Sequence, residues 1–320
     1  MNSTIAARHI PVMARECVEL MRPCLEHPGA VYVDATTGLG GHLSLVLEAY
    51  PHVRAVAIDR DPRALELARE RVADDARRCH FVCTTYDRIE DCLAEAGYER
   101  ADAILMDLGV SSMQLDERER GFSYARDAAL DMRMDPTRGD TAADLLARAD
   151  AGELARILAT YGEERHAGRI ARAIVAARGE APVTTSARLV EIIRAALPQA
   201  AMRRGGNPAK RTFQALRIAV NDELDILERA LPAAIGSLRE GGRLVVESYH
   251  SLEDRLVKTA FRQATTTDLP ADLPLRESER GVEYRLVHRG ARKASAAEVE
   301  ENSRSAPVRL RCLEKTDTHR

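Results

Sequence analysis

The segment Asp34-Ala35-Thr36-Thr37-Gly38-Leu39-Gly40-Gly41 constrains the fold of this chain more than any other. It lies between a short apolar run, Ala30-Val31-Tyr32-Val33, and a stretch that puts Leu43, Val46 and Leu47 on one helical face. A strand that enters a glycine-rich turn and leaves it as a helix opens a βαβ unit, and its backbone can approach a ligand closely. Three more short apolar runs follow: Arg54 to Asp59, His80 to Thr84 and Asp102 to Asp107. Asp61-Pro62 reads as the N-cap and first residue of the intervening helix. Continuous apolar runs separated by helices predict a parallel sheet covered on both faces, an α/β fold.

The next clear strand is Gly242 to Ser248. About 135 residues separate it from Asp107, where a one-helix crossover needs only a dozen or so, so the spacing predicts an insertion. Residues from about Asp116 to Arg211 read as helical, with Thr141 capping one helix and Asp150 another, Glu153 standing at the capping-box position. Two further helices are expected over Glu163 to Arg178 and Thr185 to Leu197. Phe213, Leu216, Val220, Leu224, Leu227 and Leu231 form an apolar stripe, read as one helix leading back into the sheet. The expected organisation is a sheet domain over 1–115, an inserted helical domain over 116–211, and the rest of the sheet domain over 212–320. Glu283 to His288 and Pro307 to Cys312 are expected as a final antiparallel pair.

The chain has 47 Lys+Arg against 50 Asp+Glu, a net charge of −3, which excludes a binder that works by bulk positive charge. Only Lys210, Lys258, Lys293 and Lys315 are lysines, so nearly all the basic groups are guanidiniums, suited to phosphate where they cluster. None of the six cysteines forms a CxxC pair, and reduced thiols in a cytoplasmic protein fit best. Met1 to Met21 is too polar for a signal-peptide core, and no stretch approaches a membrane-spanning length.

Asp59 ends the second strand about twenty residues after the first turn, where a carboxylate can hold ribose hydroxyls. Together with the turn it points to an adenosine-containing cofactor, either NAD or S-adenosylmethionine. The turn reads GxGG and lacks the third glycine of the dinucleotide fingerprint. Asp34 lies four residues before the first glycine, and Asp107 ends the fourth strand at the same carboxyl edge. Acids there suit a ligand that carries a sulfonium and an ammonium, so S-adenosylmethionine is favoured.

These motifs resemble those of the bacterial ribosomal RNA small-subunit methyltransferase H family (MraW). The resemblance rests on segments in order over nearly the whole chain. They include His9 to Met13, Asp34 to His42, Ala57 to Pro62, Leu105 to Ser112, Arg120 to Tyr124, Leu130 to Gly139 and Tyr161 to Arg165. Pro208 to Asn221, His250 to Arg255 and Asn302 to Ser305 complete the set. The resemblance implies a Rossmann-like class I S-adenosylmethionine methyltransferase sheet with an inserted all-helical domain for substrate recognition. It implies a cytoplasmic enzyme that methylates the exocyclic N4 amine of a cytidine in the decoding region of 16S ribosomal RNA. It places cofactor contacts on Gly40, Gly41, His42, Asp59, Tyr86, Asp107 and Gln114. The chain departs from the family at Thr36 to Leu39, at Tyr86, where Phe is common, and at Glu247-Ser248-Tyr249-His250, where Ile-Ser-Phe-His is more usual. Glu247 adds a charge near the end of a buried strand.

Asp107, or a backbone carbonyl beside it, is the candidate catalytic acceptor for an amine hydrogen. His250 follows the fifth strand and is a candidate RNA contact or a helix cap. No metal is expected, since no other His or Cys sits near it at ligand spacing. Arg203, Arg204, Lys210, Arg211 and Arg217 occur without an acid between Ala201 and Val220, a pattern suited to RNA phosphates. Arg165, Arg169 and Arg172 form a second basic group. Aromatics are 4% and Trp is absent, which argues against a stacking platform and for recognition of RNA shape with one extruded base. The partner is then small-subunit ribosomal RNA or an assembled small subunit, with no membrane. Two other readings remain open: an NAD-dependent oxidoreductase and a non-catalytic RNA-binding assembly factor.

Overall fold

Alternation of side chains along each buried strand splits the core of the sheet into two faces. In β1 (Val31–Asp34), β2 (Arg54–Asp59), β4 (Ala101–Asp107) and β5 (Leu238–Ser248), Tyr32, Ala55, Ala57, Leu105 and Val245 face one way. They pack on Cys17, Leu20 and Met21 of α1 (Ala14–Leu25) and Leu43, Val46 and Leu47 of α2 (Gly41–Ala49). Val33, Val56, Ile58, Ile104, Met106 and Val246 face the other way. There they meet Ile89 and Leu93 of α4 (Ile89–Glu95) and Leu227 and Leu231 of α11 (Glu223–Gly236). Phe261 of α12 (Ser251–Ala264) joins them. Both faces are therefore dry, as unbroken apolar runs require, and each fully buried aliphatic side chain contributes roughly 1.5–3 kcal/mol.

The strand order is β3-β2-β1-β4-β5-β7-β6, where β3 is Cys79–Cys83, β6 Tyr284–Leu286 and β7 Arg309–Lys315. Strands β1 to β5 pair in parallel, and β7 runs antiparallel to both β5 and β6. Helix α3 (Pro62–Arg71) starts as the sequence dictates, with the Asp61 side chain accepting from the amides of Arg63 and Ala64 and Pro62 in the first turn. Helix α13 (Ala296–Glu301) precedes β7. The structure, a computed structural model, describes residues 11–199, 207–266 and 282–316. No helix among them is long and apolar enough to cross a membrane.

The chain divides into two units, Met1–Gly109 with Leu224–Arg320, and Val110–Glu223. The second unit runs from 110 to 223 where the sequence reading placed it over 116–211. It holds α5 (Ser112–Asp116), α6 (Ala142–Arg148), α7 (Ala151–Gly162), α8 (Ala167–Glu180), α9 (Ser186–Ala196) and α10 (Lys210–Asn221). Thr141 and Asp150 cap α6 and α7 through side-chain oxygens, as expected.

Three differences from the sequence reading have clear causes. The stripe from Phe213 to Leu231 is two helices, because Asp222 adopts φ 51° and ends α10. Helix α10 belongs with the second unit because Phe213, Ala215 and Leu216 are buried in that unit's core. Residues 121–141 are largely irregular rather than helical. Polar groups hold this stretch in place of a helix. The Arg120 guanidinium donates to the carbonyls of Arg133 (3.1 Å) and Met134 (2.8 Å), and Asn221 bridges the Met134 amide and the Met132 carbonyl, both at 2.7 Å. Helix α8 begins at Ala167, so Arg165 precedes it.

Gly162 closes α7 where α10 crosses it: a Cβ there would stand 2.6 Å from the Arg211 carbonyl oxygen and 3.2 Å from the Ala215 side chain. Backbone cannot yield as a flexible side chain does. Gly162→Ala is expected to destabilise this unit by about 1–3 kcal/mol, read as a lower denaturant midpoint in equilibrium unfolding. An unchanged midpoint would show that the two helices can separate freely.

Candidate active site

The glycine-rich turn is stitched to the strands on either side of β1. The Thr37 amide donates to the Ile58 carbonyl at 2.9 Å, and the Asp107 amide donates to Thr36 Oγ1 at 2.7 Å. Gly40 adopts φ 73° immediately before α2, and a Cβ there would press on Ala68 at 3.1 Å, so a side chain is excluded both by backbone conformation and by space. The Asp59 carboxylate completes the turn: Oδ2 accepts from the Gly38 amide at 2.7 Å and Oδ1 from the Asp61 amide at 2.8 Å. Each carboxylate oxygen has a second lone-pair direction, so Asp59 is fixed in place and can still accept from ligand hydroxyls. Burial raises its pKa to about 6, against the pull of the two amides.

Asp107 stands at the end of β4 with its side chain 25% exposed. Its Oδ1 accepts a hydrogen bond from the Tyr249 hydroxyl at 2.6 Å, and its Oδ2 lies 3.8 Å from His42 Nε2. Burial, then the neighbouring Glu247, push its carboxyl up to about 7. Asp34 at the end of β1 is buried, and its Oδ2 has no hydrogen-bond partner among the described residues. Its carboxyl is raised to about 6, chiefly by burial, with His42 acting the other way. Glu247 pairs in register with Asp107 and is fully buried, which holds its carboxyl well above the usual range. Cys17, His42 and Glu247 bring three ligand-type atoms within 4.8 Å of one another.

Three carboxylates thus stand at the carboxyl ends of β1, β2 and β4, beside a turn that only glycine can form. One of the three carries a buried oxygen without a partner. This donor set fits S-adenosylmethionine, which is cationic at its methionine end and hydroxylated at its ribose. Gly40, Gly41, His42, Asp59 and Asp107 are all at this edge, and Tyr86 opens the short turn that follows β3.

The other candidates are placed differently. Gln114 lies in the second unit, in α5, where its side chain accepts from the Ser111 amide (3.0 Å) and its own amide donates to Ser111 Oγ (3.3 Å). His250 is the N-cap of α12: its Nδ1 accepts from the Glu253 amide at 3.5 Å, and its Nε2 lies 3.0 Å from Glu253 Oε1. Lys210 and Arg211 are exposed at the start of α10, and Arg211 donates to the Glu163 carbonyl at 2.7 Å. Arg165, Arg169 and Arg172 are exposed as well. Arg203 and Arg204 lie outside the described residues. Sequence reasoning missed Thr36 and Tyr249 as the groups that hold Asp107. Tyr249 is 142 positions away from it, and no spacing rule connects them.

Comparison with known proteins agrees with this geometry. The sequence profile of the MraW methylase family matches residues 6–316. A ribosomal RNA small subunit methyltransferase H from Beutenbergia cavernae is 56% identical over 317 residues, covering 99% of this chain and 95% of that protein. A protein of the same name from Nocardia farcinica is 55% identical over 314 residues, covering 97% of each chain. One from a Nocardioides species is 56% identical over 308 residues, covering 96% of this chain and 97% of the relative. With a family match over nearly its full length, and the glycine turn and edge acids that an S-adenosylmethionine enzyme needs, the chain belongs to the MraW methylase family.

Proposed function

We propose that this methyltransferase transfers a methyl group to the exocyclic N4 amine of a cytidine in the decoding region of 16S ribosomal RNA, acting in the cytoplasm on small-subunit RNA or an assembled small subunit. The reading is supported by relatives named for small-subunit ribosomal RNA methylation that align along nearly the whole chain. The single observation that carries the chemistry is Asp107, partly exposed at the sheet edge and held through Oδ1 by the Tyr249 hydroxyl. An NAD-dependent reaction has no support from the turn, which lacks the third glycine. A purely binding role leaves the ordered acid edge without a purpose.

S-adenosylmethionine, when bound, supplies a methyl group on a sulfonium, ready for in-line displacement. Asp59 would hold its ribose hydroxyls, Asp34 would face its cationic end, and the turn at Gly40 and Gly41 would let the backbone come close. The exocyclic amine of cytosine is a weak nucleophile because its lone pair is conjugated into the ring. Asp107 would accept a hydrogen bond from that amine, which localises the lone pair, and would take the proton the nitrogen releases once the N–C bond has replaced the methyl's bond to the sulfonium sulfur. Tyr249 fixes one oxygen of Asp107 and leaves the other for the amine.

The reading is tested by incubating small subunits and free 16S RNA with methyl-labelled cofactor and mapping the product by mass spectrometry. N4-methylcytidine in the decoding region is expected; label on another nucleoside, or none in either substrate, would overturn it. Asp107→Asn is expected to lower turnover by about 10²–10⁴-fold with cofactor affinity changed far less. Unchanged turnover, or a loss confined to cofactor affinity, would remove the acceptor role. Because burial raises the carboxyls of both Asp59 and Asp34 to about 6, both are neutralised as pH falls through that value. Calorimetry should therefore show cofactor binding weakening by about 10–100-fold per pH unit below it, with a dependence shallower by about tenfold per unit in Asp59→Asn. Identical slopes in the two proteins would mean that Asp59 does not hold the ribose. Lys210→Glu is expected to weaken RNA binding and reduce the salt slope by about 1; an unchanged slope would take this helix start out of the interface.

A further inference from the structure

The Asp107 edge is built over a second cluster, which shares only His42 with the candidate cofactor contacts. Cys17 comes from α1, His42 from the first turn of α2 and Glu247 from β5. Their exposures are 0%, 5% and 0%. Outside the cluster, neither ring nitrogen of His42 nor either carboxylate oxygen of Glu247 has a hydrogen-bond partner among the described residues; within it, Cys17 and His42 both face Glu247. Three polar side chains have been taken out of water and aimed at one another, an arrangement that costs stability unless something satisfies them.

From this cluster we infer a binding site for a divalent transition-metal ion, with Zn²⁺ the best chemical match, formed by Cys17 Sγ, a His42 ring nitrogen and a Glu247 carboxylate oxygen.

Geometry, chemistry and charge support this assignment independently. His42 Nε2 and Glu247 Oε2 are 3.4 Å apart. Two ligand atoms each about 2.0–2.1 Å from a tetrahedral Zn²⁺ stand about 3.3–3.4 Å apart. All three candidate ligand atoms lie within 4.8 Å of one another, so only a small inward movement of the sulfur is needed. Thiolate, imidazole and carboxylate are the donors that Zn²⁺ accepts together, and Mg²⁺ or Ca²⁺ would not select the sulfur. The electrostatic setting also calls for a cation. Glu16, Asp34, Asp107 and Glu298 all act on Cys17 or Glu247 with negative charge. A metal would tie α1, the start of α2 and β5 together beneath the cofactor turn. It would replace these contacts within the cluster by ligand bonds to a single cation.

The experiment uses the whole protein without cofactor. Zinc chloride is titrated against a chromogenic chelator, metal content after dialysis is measured by mass spectrometry, and cobalt chloride is followed by absorption. One Zn²⁺ per chain is expected, together with a thiolate-to-cobalt charge-transfer band. Cys17→Ser should abolish that band, and Glu247→Leu, which suits the apolar surroundings, should weaken zinc binding by about 10–100-fold. Zinc at saturating concentration should raise the melting temperature of the unaltered protein by a few degrees and leave that of Cys17→Ser unchanged. Failure of the unaltered protein to take up zinc would overturn the assignment and mean that protons alone fill the cluster. So would a cobalt spectrum without the thiolate band, a reading that needs no variant to fold. Zinc binding that is equal in both variants would place the metal elsewhere.

Discussion

The carboxylate of Asp59 holds the amides of Gly38 and Asp61, and much of this structure follows from that pair of bonds. One amide belongs to the glycine-rich turn after β1 and the other to the N-cap of the helix after β2. A single side chain therefore fixes two consecutive strand-to-helix turns against each other, and both open at the same edge. The energetic tension is visible in the residue itself: burial drives its proton affinity up while the two amides drive it down, and burial prevails. A group placed so firmly keeps its remaining lone pairs directed outward, where a ligand hydroxyl can use them.

Charge of one sign is concentrated at that edge. Asp34, Asp59 and Asp107 end three neighbouring strands, Glu247 pairs with Asp107, and proton affinities are raised throughout. Such a concentration destabilises the empty protein and favours cations, whether these come as protons, as a sulfonium ligand or as a metal. The binding preference of the site is thus written into the strain it carries without a ligand.

Much of this was legible in the sequence, for a physical reason. Strands buried on both faces must be unbroken apolar runs, so β1, β2, β4 and β5 announced themselves, and an acid at the end of each of the first three could only lie at the carboxyl edge. Caps at Asp61, Thr141 and Asp150 were readable because they act within three residues. What escaped were long-range or unfavoured local choices. The left-handed Asp222 interrupts an apolar stripe that continues in register on both sides of it, so periodicity shows one helix where there are two. The irregular stretch 121–141 is held by Arg120 and Asn221, whose bonds span up to 89 positions. The partnership of Cys17, His42 and Glu247 exists only once the sheet has formed, and Arg211 looked free for phosphate until its bond to the Glu163 carbonyl appeared.

The placement of β6 and β7 has a consequence for the life of the protein among its own copies. A parallel sheet that stopped at β5 would leave eleven residues of strand open to pairing with another molecule. Here β7 covers β5 in the opposite direction, and the sheet then ends on β6, only three residues long. Arg285 in the middle of β6 is ion-paired to Glu314 of β7, so a charged side chain stands on the last strand. Short, charged edges offer a poor template for strand addition, so among the described residues the two added strands make this end of the sheet a poor place for another copy to pair.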